Sequence, residues 1–186
     1  MSQENKDDKH QFGFWDLFPF LLFVLAVAFF AGAILSTYSQ DKTAEVAQGA
    51  MFKIPALSLA SLNNPDDQIS IGGEMDAPVI INFFASWCAP CKVEHPLLME
   101  LGRTTDTRFV GIAFNEDRQD TIEFLDNLGN PYSQVGVDSR AAAAVNFSMQ
   151  GIPATFILDK SGQMVFRHDG PLTSLEEIRA VLDKMQ

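Results

Sequence analysis

The feature that most constrains the fold is a cysteine pair placed where a strand pattern gives way to a helix pattern. The run from Val79 to Phe84 is mostly apolar and β-type, and the residues from Pro90 onward favour a helix. Cys88 and Cys91, the only cysteines of the chain, lie on one helical face at this junction. A helix N-terminus favours thiolate, because its backbone N–H groups are unpaired and its dipole is positive there. We therefore predict a redox-active disulfide, with Cys88 as the nucleophile and Cys91 as the resolving cysteine.

Two other uses of the cysteine pair are possible on the residues alone. A structural disulfide that closes so short a loop gains little stability from loop entropy. A zinc site needs about four ligands, whereas Cys88, Cys91 and His95 supply three. The other histidines, His10 and His168, lie near the two ends of the chain. The pattern therefore favours redox chemistry, without a metal or another cofactor.

An apolar segment near the N-terminus predicts a membrane anchor. Residues 17–35 carry no charge and would span about 28 Å as a helix, close to the hydrocarbon thickness of a bilayer. The run is too long for an ordinary signal-peptide core, although the small residues of 26–28 and 31–33 resemble a cleavage site. We predict a short cytoplasmic tail over residues 1–16, a transmembrane signal anchor over 17–38 and a linker over 39–51.

The side of the membrane follows from chemistry rather than from charge. Two lysines, Lys6 and Lys9, precede the anchor, and two, Lys42 and Lys53, follow it, so the positive-inside count is tied. A tethered dithiol is useful where disulfides form. We therefore expect a single-pass protein of the inner membrane, with residues 52–186 in the periplasm. The net charge of −11 and the absence of a basic stripe argue against a nucleic-acid partner.

The region after the linker reads as one α/β domain. Its pattern predicts strands over 56–59, 68–71, 79–84, 109–114, 135–137, 155–158 and 164–167, and helices over 90–103, 118–128, 140–145 and 173–184. This order predicts a central mixed sheet flanked by helices, with an N-terminal β-hairpin extension. Pro96 should kink the first helix, and Thr173 with Glu176 predicts a capping box at the start of the last.

These motifs together resemble the thioredoxin fold. The resemblance rests on the segment from Trp87 to Cys91, on Pro96, and on Gly151-Ile152-Pro153 before a strand. It implies that Pro153 is cis and faces the dithiol; a trans proline in an ordinary turn is the alternative. It also implies that Trp87, Ile152 and Pro153 bind a substrate segment laid alongside as an extra strand, and that Trp87 packs beside the cysteines.

Longer segments resemble the CcmG/DsbE family, the membrane-tethered periplasmic thioredoxin-like proteins of cytochrome c maturation. The segments are Trp87–His95, Asn115–Gln119, Leu128–Tyr132 and Arg167–Thr173, and the similarity begins near Phe52. The resemblance implies a reductant that takes electrons from a transmembrane thiol–disulfide donor. It would pass them to apocytochrome c, or to a thiol protein of haem ligation, because haem attachment needs free cysteines in an oxidising compartment.

The same resemblance suggests a proton acceptor for Cys91. Thioredoxins have a buried aspartate under the dithiol, but here Asn82 stands at that position and cannot ionise. Glu94 matches an acidic position of the CcmG/DsbE family and is our candidate acid/base group. A carboxylate near the dithiol would raise the thiol pKa values and make the protein a better reductant. The alternative is that Glu94 points into solvent; likewise, we expect His95 to be partly exposed.

One departure from the family keeps other functions open. Ala154 follows Pro153 at a position where the family usually has glutamate. The chain could therefore be a general tethered reductase for other periplasmic targets, such as the copper-site cysteines of oxidases. A copper-binding assembly chaperone that uses Cys88, Cys91 and a histidine is a further alternative.

Overall fold

The computed structural model describes residues 22–30 and 52–185. Residues 22–30, part of the predicted anchor, form a helix with exposed side chains. Within these described ranges no helix is both long and apolar enough to cross a bilayer. The predicted tail over 1–16, the linker over 39–51 and most of the segment 17–38 lie outside the described residues. The anchor therefore stays a prediction.

Seven strands of the second range form one mixed sheet. They are β1 (Leu57–Ser61), β2 (Gln68–Ile71), β3 (Val79–Phe84), β4 (Arg108–Phe114), β5 (Gln134–Asp138), β6 (Ala154–Leu158) and β7 (Met164–Asp169). Their spatial order is β2-β1-β5-β4-β3-β6-β7. Strand β4 is parallel to both β3 and β5, whereas β6 is antiparallel to both β3 and β7. The predicted mixed sheet is thus confirmed.

The predicted N-terminal hairpin is part of this sheet. Strand β1 pairs antiparallel with β2 along its length. Its last residues, Ala60 and Ser61, also pair with Val137 and Gly136 of β5. The hairpin therefore extends the central sheet at one edge.

In the range 52–185, four helices follow the order that the sequence predicts. They are α1 (Ala89–Thr104), α2 (Arg118–Leu128), α3 (Ala142–Asn146) and α4 (Glu176–Lys184). Helix α1 continues through Pro96 to Thr104.

The predicted start of the last helix is wrong. Helix α4 begins at Glu176, and Leu175 occupies its N-cap without a side-chain cap. The capping box of Thr173 and Glu176 does not form. The preceding segment is held by other contacts, since Leu172 and Leu175 are buried and the Leu172 backbone N–H donates to the Glu94 carboxyl. Tertiary packing therefore outweighs the local capping signal.

Strand β3 lies inside the sheet and separates two apolar cores. Ile80 and Phe84 belong to the core that α1, α2 and α4 cover. Val79, Ile81 and Phe83 face the other core, to which α3 contributes. Because side chains alternate along a strand, Asn82 lies on the α1 side. A polar side chain is thus placed in an otherwise apolar face, beneath the helix that follows the cysteines.

Candidate active site

The two cysteines lie at the N-terminus of α1 and are joined by a disulfide. Cys88 is the N-cap residue, and its Cα lies 5.3 Å from that of Cys91. The Cys88 Sγ accepts a hydrogen bond from the Cys91 backbone N–H at 3.2 Å. Both residues are buried. In the reduced protein the same N–H and the helix dipole would stabilise a thiolate on Cys88, which agrees with its predicted role as nucleophile.

Glu94 is fully buried, so the solvent-facing alternative is wrong. One carboxyl oxygen, Oε2, accepts from the Leu172 backbone N–H at 2.8 Å, and Oε1 accepts from Asn82 Nδ2 at 3.1 Å. Burial raises the pKa of Glu94 to about 7, although the two hydrogen bonds oppose this change. A group with a pKa near neutrality can both accept and return a proton. Since α1 places Glu94 one turn after Cys91, its geometry suits the predicted acid/base role.

Asn82 connects Glu94 to two further buried side chains. Its Nδ2 also donates to Thr155 Oγ1 at 3.1 Å, and its Oδ1 accepts from the Tyr132 hydroxyl at 2.7 Å. Burial, and secondarily the charge of Glu94, raise the pKa of Tyr132 well above its usual value. The sequence analysis noted Asn82 only for its lack of charge. The sequence analysis did not single out Tyr132 or Thr155 as site residues. The only signal was for Tyr132, which ends a segment that resembles the CcmG/DsbE family.

The predicted cis proline is confirmed. The Ile152–Pro153 peptide bond is cis, and the Pro153 carbonyl accepts from the Gly170 N–H at 2.9 Å. Because Ala154 pairs with Phe83, Pro153 lies at the same end of the sheet as the loop that carries Cys88. The Ile152 N–H and carbonyl have no hydrogen-bond partner among the described residues. They are therefore free to pair with an extended segment of a partner.

Trp87 lies at the surface rather than in the core. Its side chain is 58% exposed. The indole leans against Phe114, with 6.5 Å between the ring centroids. The cysteines themselves are buried, so their burial does not depend on this exposed ring. The Trp87 ring is therefore free to contact a partner.

Glu116 holds the loop before the cysteines, a role that the sequence analysis missed. It is buried, and its Oε2 accepts from the Ser86 backbone N–H at 2.7 Å. Its Oε1 accepts from Thr121 Oγ1 at 2.8 Å, which links the loop to α2. A buried acceptor for a loop N–H fixes the approach of the chain to Trp87 and Cys88.

His95 is buried rather than partly exposed, which corrects the expectation for it. Its Nε2 lies 3.0 Å from the Gly129 carbonyl oxygen, and its ring packs edge-on against Phe124. Burial lowers the pKa of His95. In residues 22–30 and 52–185, no three histidine, cysteine or acidic side chains are arranged to hold a metal ion. Through its contacts with Gly129 and Phe124, His95 connects α1 to the end of α2.

Comparisons with known proteins agree with this geometry. A model of the redoxin family matches residues 50–182. The thiol:disulfide interchange protein CycY of Rhizobium leguminosarum is 30% identical over 79% of this chain and 73% of its own length. The thiol:disulfide interchange protein DsbE of Escherichia coli K12 is 30% identical over 90% of this chain and 93% of its own.

A solved structure supports the fold independently. StoA from Bacillus subtilis superposes with a TM-score of 0.57, at 19% identity, over 69% of this chain and 97% of its own. At this identity the likeness shows the fold alone, which is thioredoxin-like. The sequence relatives and the cysteine pair at disulfide distance carry the activity. The chain therefore belongs to the redoxin family and is a thiol:disulfide oxidoreductase of the DsbE type.

Proposed function

We propose that this protein is a membrane-tethered periplasmic reductant that keeps the haem-binding cysteines of apocytochrome c, or of a haem-ligation thiol protein, reduced. The observation that carries the proposal is the buried Glu94 carboxyl, one helical turn after Cys91. A carboxylate there disfavours a second negative charge and therefore destabilises the thiolate. A less stable reduced form is a better electron donor. The resemblance to the CcmG/DsbE family supplies the class of acceptor.

The reaction is two successive thiol–disulfide exchanges. The Cys88 thiolate attacks one sulfur of the partner disulfide, so that a mixed disulfide forms and one partner thiolate leaves. Cys91 then loses its proton and attacks the Cys88 sulfur. This step breaks the mixed disulfide, releases the second partner sulfur as a thiolate that then takes up a proton, and leaves the Cys88–Cys91 disulfide. Glu94, with a pKa of about 7, is suited to accept the Cys91 proton.

The partner would dock beside the dithiol as an extended segment. The unpaired backbone groups of Ile152 would bind the main chain of that segment, and the exposed Trp87 indole would contact its side chains. A transmembrane thiol–disulfide donor would then return two electrons and two protons to the oxidised protein. The segment 17–38 would hold the domain at the membrane, within reach of that donor.

The location can be tested with paired fusions at the C-terminus of the full-length chain. Alkaline phosphatase folds only where disulfides form, so its fusion should be active. A fusion of a fluorescent protein that matures only in the cytoplasm should stay dark. The reverse pattern would contradict a periplasmic domain.

A second candidate is a general tethered reductase that also serves copper-site cysteines of oxidases. The observation that favours it is Ala154, which is fully buried in β6 where the CcmG/DsbE family usually has glutamate. The dithiol therefore has one acidic neighbour, Glu94, where such proteins have two. Fewer specific features beside the dithiol would suit a broader set of partners.

A gene deletion distinguishes the two candidates. We expect loss of covalently bound haem in c-type cytochromes, and recovery with the wild-type gene or added dithiothreitol but not with Cys88→Ser. A Cys91→Ser variant should trap the target as a mixed disulfide with Cys88, because the second exchange cannot occur. Normal c-type cytochromes together with loss of copper-oxidase activity would instead support the general reductase.

A further inference from the structure

We infer that Tyr132 is a positioning residue for the thiol chemistry: its hydroxyl fixes the Asn82 amide in the orientation that donates a hydrogen bond to Glu94. The inference rests on the role proposed above for Glu94 beside Cys91. Tyr132 itself is not hydrogen-bonded to either cysteine. It would act on the dithiol through Asn82 and Glu94.

The hydrogen bonds of Asn82 have defined directions. A carboxamide has an acceptor end and a donor end. The acceptor, Oδ1, receives the Tyr132 hydroxyl at 2.7 Å. The donor, Nδ2, reaches Glu94 Oε1 and Thr155 Oγ1, both at 3.1 Å. Every buried polar side-chain atom among the described residues has a partner, so this network is complete.

Rotating the amide by half a turn would break the network at two places. Asn82 Oδ1 would then face Glu94 Oε1, and two acceptors repel unless the carboxyl is protonated. Asn82 Nδ2 would face the Tyr132 hydroxyl, whose hydrogen would lose its acceptor inside the protein. The Thr155 hydroxyl can donate or accept, so it does not choose between the two orientations. The Tyr132 hydroxyl is therefore the group that selects the orientation of the Asn82 amide.

The orientation of the amide in turn selects the protonation state of Glu94. A carboxylate accepts from the amide N–H of Asn82, whereas a carboxylic acid would donate to the rotated amide oxygen. Tyr132 keeps its hydrogen in either case, because burial and the charge of Glu94 raise its pKa well above the usual value. The hydroxyl therefore favours the charged form of Glu94 and so opposes thiolate formation at the dithiol.

The fold holds the Tyr132 ring independently of its hydroxyl. The ring stacks on Phe84 at 5.0 Å and packs against Phe109 at 4.9 Å between centroids. Gly111 makes room for it, since a Cβ there would lie 2.6 Å from Tyr132 Cδ2. Replacing Tyr132 with phenylalanine should therefore remove one hydrogen bond while preserving the packing.

The polar surroundings of Glu94 come from four elements. Asn82 reaches it from β3 and the Leu172 N–H from the segment before α4, while Tyr132, whose pKa the charge of Glu94 helps to raise, lies on the segment before β5. On its own helix, Cys91 lies one turn away, while the His95 ring is bonded to Gly129. Within the described ranges no lysine or arginine pairs with Glu94. The Asn82 amide is thus the group through which a change at Tyr132 would reach the carboxyl.

The acid strength of Glu94 tests the inference directly. The full-length oxidised protein in detergent would be labelled with ¹³C at glutamate carboxyl groups, and the Glu94 signal assigned by its loss in Glu94→Gln. Tyr132→Phe should make Glu94 an about tenfold weaker acid, equivalent to about one hydrogen bond. Phe109→Leu disturbs the same ring but keeps the hydroxyl, and should leave the titration unchanged. An unchanged titration in Tyr132→Phe, or an equal shift in Phe109→Leu, would overturn the inference.

The pH profile of Cys88 alkylation in the reduced protein separates this inference from the role of Glu94. Tyr132→Phe should move the midpoint to lower pH in the wild-type background and have no effect in the Glu94→Gln background. If Glu94→Gln alone leaves the midpoint unchanged, the role proposed for Glu94 fails, and the inference fails with it. If Glu94→Gln lowers the midpoint and Tyr132→Phe does not, only the inference about Tyr132 fails.

Discussion

At the residue scale, the site contains a carboxyl group that is buried with hydrogen bonds but without a cation. Glu94 accepts from Leu172 and Asn82, while the ion pairs of the described residues, Arg167–Asp169 and Arg179–Glu100, lie elsewhere. Burial is the main cause of its pKa of about 7, against an ordinary value of 4.5. Such a group is costly to ionise inside the protein. Because this cost brings the pKa of Glu94 close to neutral pH, the carboxyl can exchange protons there.

The raised pKa makes the folded state less stable at higher pH. A carboxyl whose pKa is raised on folding contributes fully below its unfolded pKa, and the contribution is lost as pH rises through its folded pKa. The free energy of unfolding should therefore fall by about 3 kcal/mol between pH 4.5 and about 7.5 from this group. Denaturant unfolding of the wild type and Glu94→Gln across this range measures the difference between them. Parallel stability curves for the two proteins would contradict the burial effect.

At the scale of elements, the loop between β3 and α1 is held by a side chain from outside it. Glu116 accepts from the Ser86 N–H and from the Thr121 hydroxyl. Glu116→Ala should cost about 1–3 kcal/mol, because it leaves a partly buried N–H without a partner. Thermal and denaturant unfolding would measure the loss. Glu116→Gln keeps one carbonyl acceptor and should lose less; an equal loss in both variants would assign the effect to charge rather than to the loop contact.

Helix α3 depends on an aspartate that precedes it by several residues. Asp138 Oδ1 accepts from the Ala142 N–H at 2.8 Å, and Oδ2 accepts from those of Ala143 and Ala144 at 3.0 and 3.2 Å. These are N–H groups of the first turn, which have no partner within the helix. Asp138→Ala should therefore destabilise the protein by about 1–2 kcal/mol in equilibrium unfolding. Full stability of this variant would show that the cap contributes nothing.

Most elements could be predicted because their signals are local. Strand β3 has the predicted bounds, Val79–Phe84, and α2 has the predicted bounds, Arg118–Leu128, since each carries its own apolar pattern and stop signals. The start of α4 could not be predicted, because the Leu172 N–H is taken by Glu94, which lies 78 positions earlier. A local pattern carries no information about such a partner.

The chemistry of the site could be predicted from the sequence, but the hydrogen bonds that connect its residues could not. Cys88 and Cys91 are apparent from their spacing, and Pro153 from a resemblance. The contact between Tyr132 and Asn82 spans 50 positions, and that between Asn82 and Thr155 spans 73. Such contacts exist only once the sheet has brought β3, β6 and the segment before β5 together. The exposure of Trp87 likewise depends on what the complete fold leaves uncovered.

At the scale of the whole domain, the site gathers around an interior strand of the sheet. Strand β3 lies between β4 and β6 and leads directly into the cysteine loop. Pro153 precedes β6, and Tyr132 precedes β5, so the parts of the site come from neighbouring elements of one sheet. A rigid sheet can therefore hold the carboxyl, the amide and the dithiol in fixed positions while the cysteines change redox state.

The central claim is that this dithiol donates electrons, and the reduction potential of the Cys88/Cys91 pair tests it most directly. The full-length protein would be equilibrated against glutathione and dithiothreitol, with Cys91→Ser as the control that forms no intramolecular disulfide. Our account predicts a potential between about −270 mV, as in thioredoxin, and about −180 mV, as in disulfide isomerase. A value near about −120 mV, as in a strong oxidant, would contradict it, because the protein would then install disulfides rather than remove them.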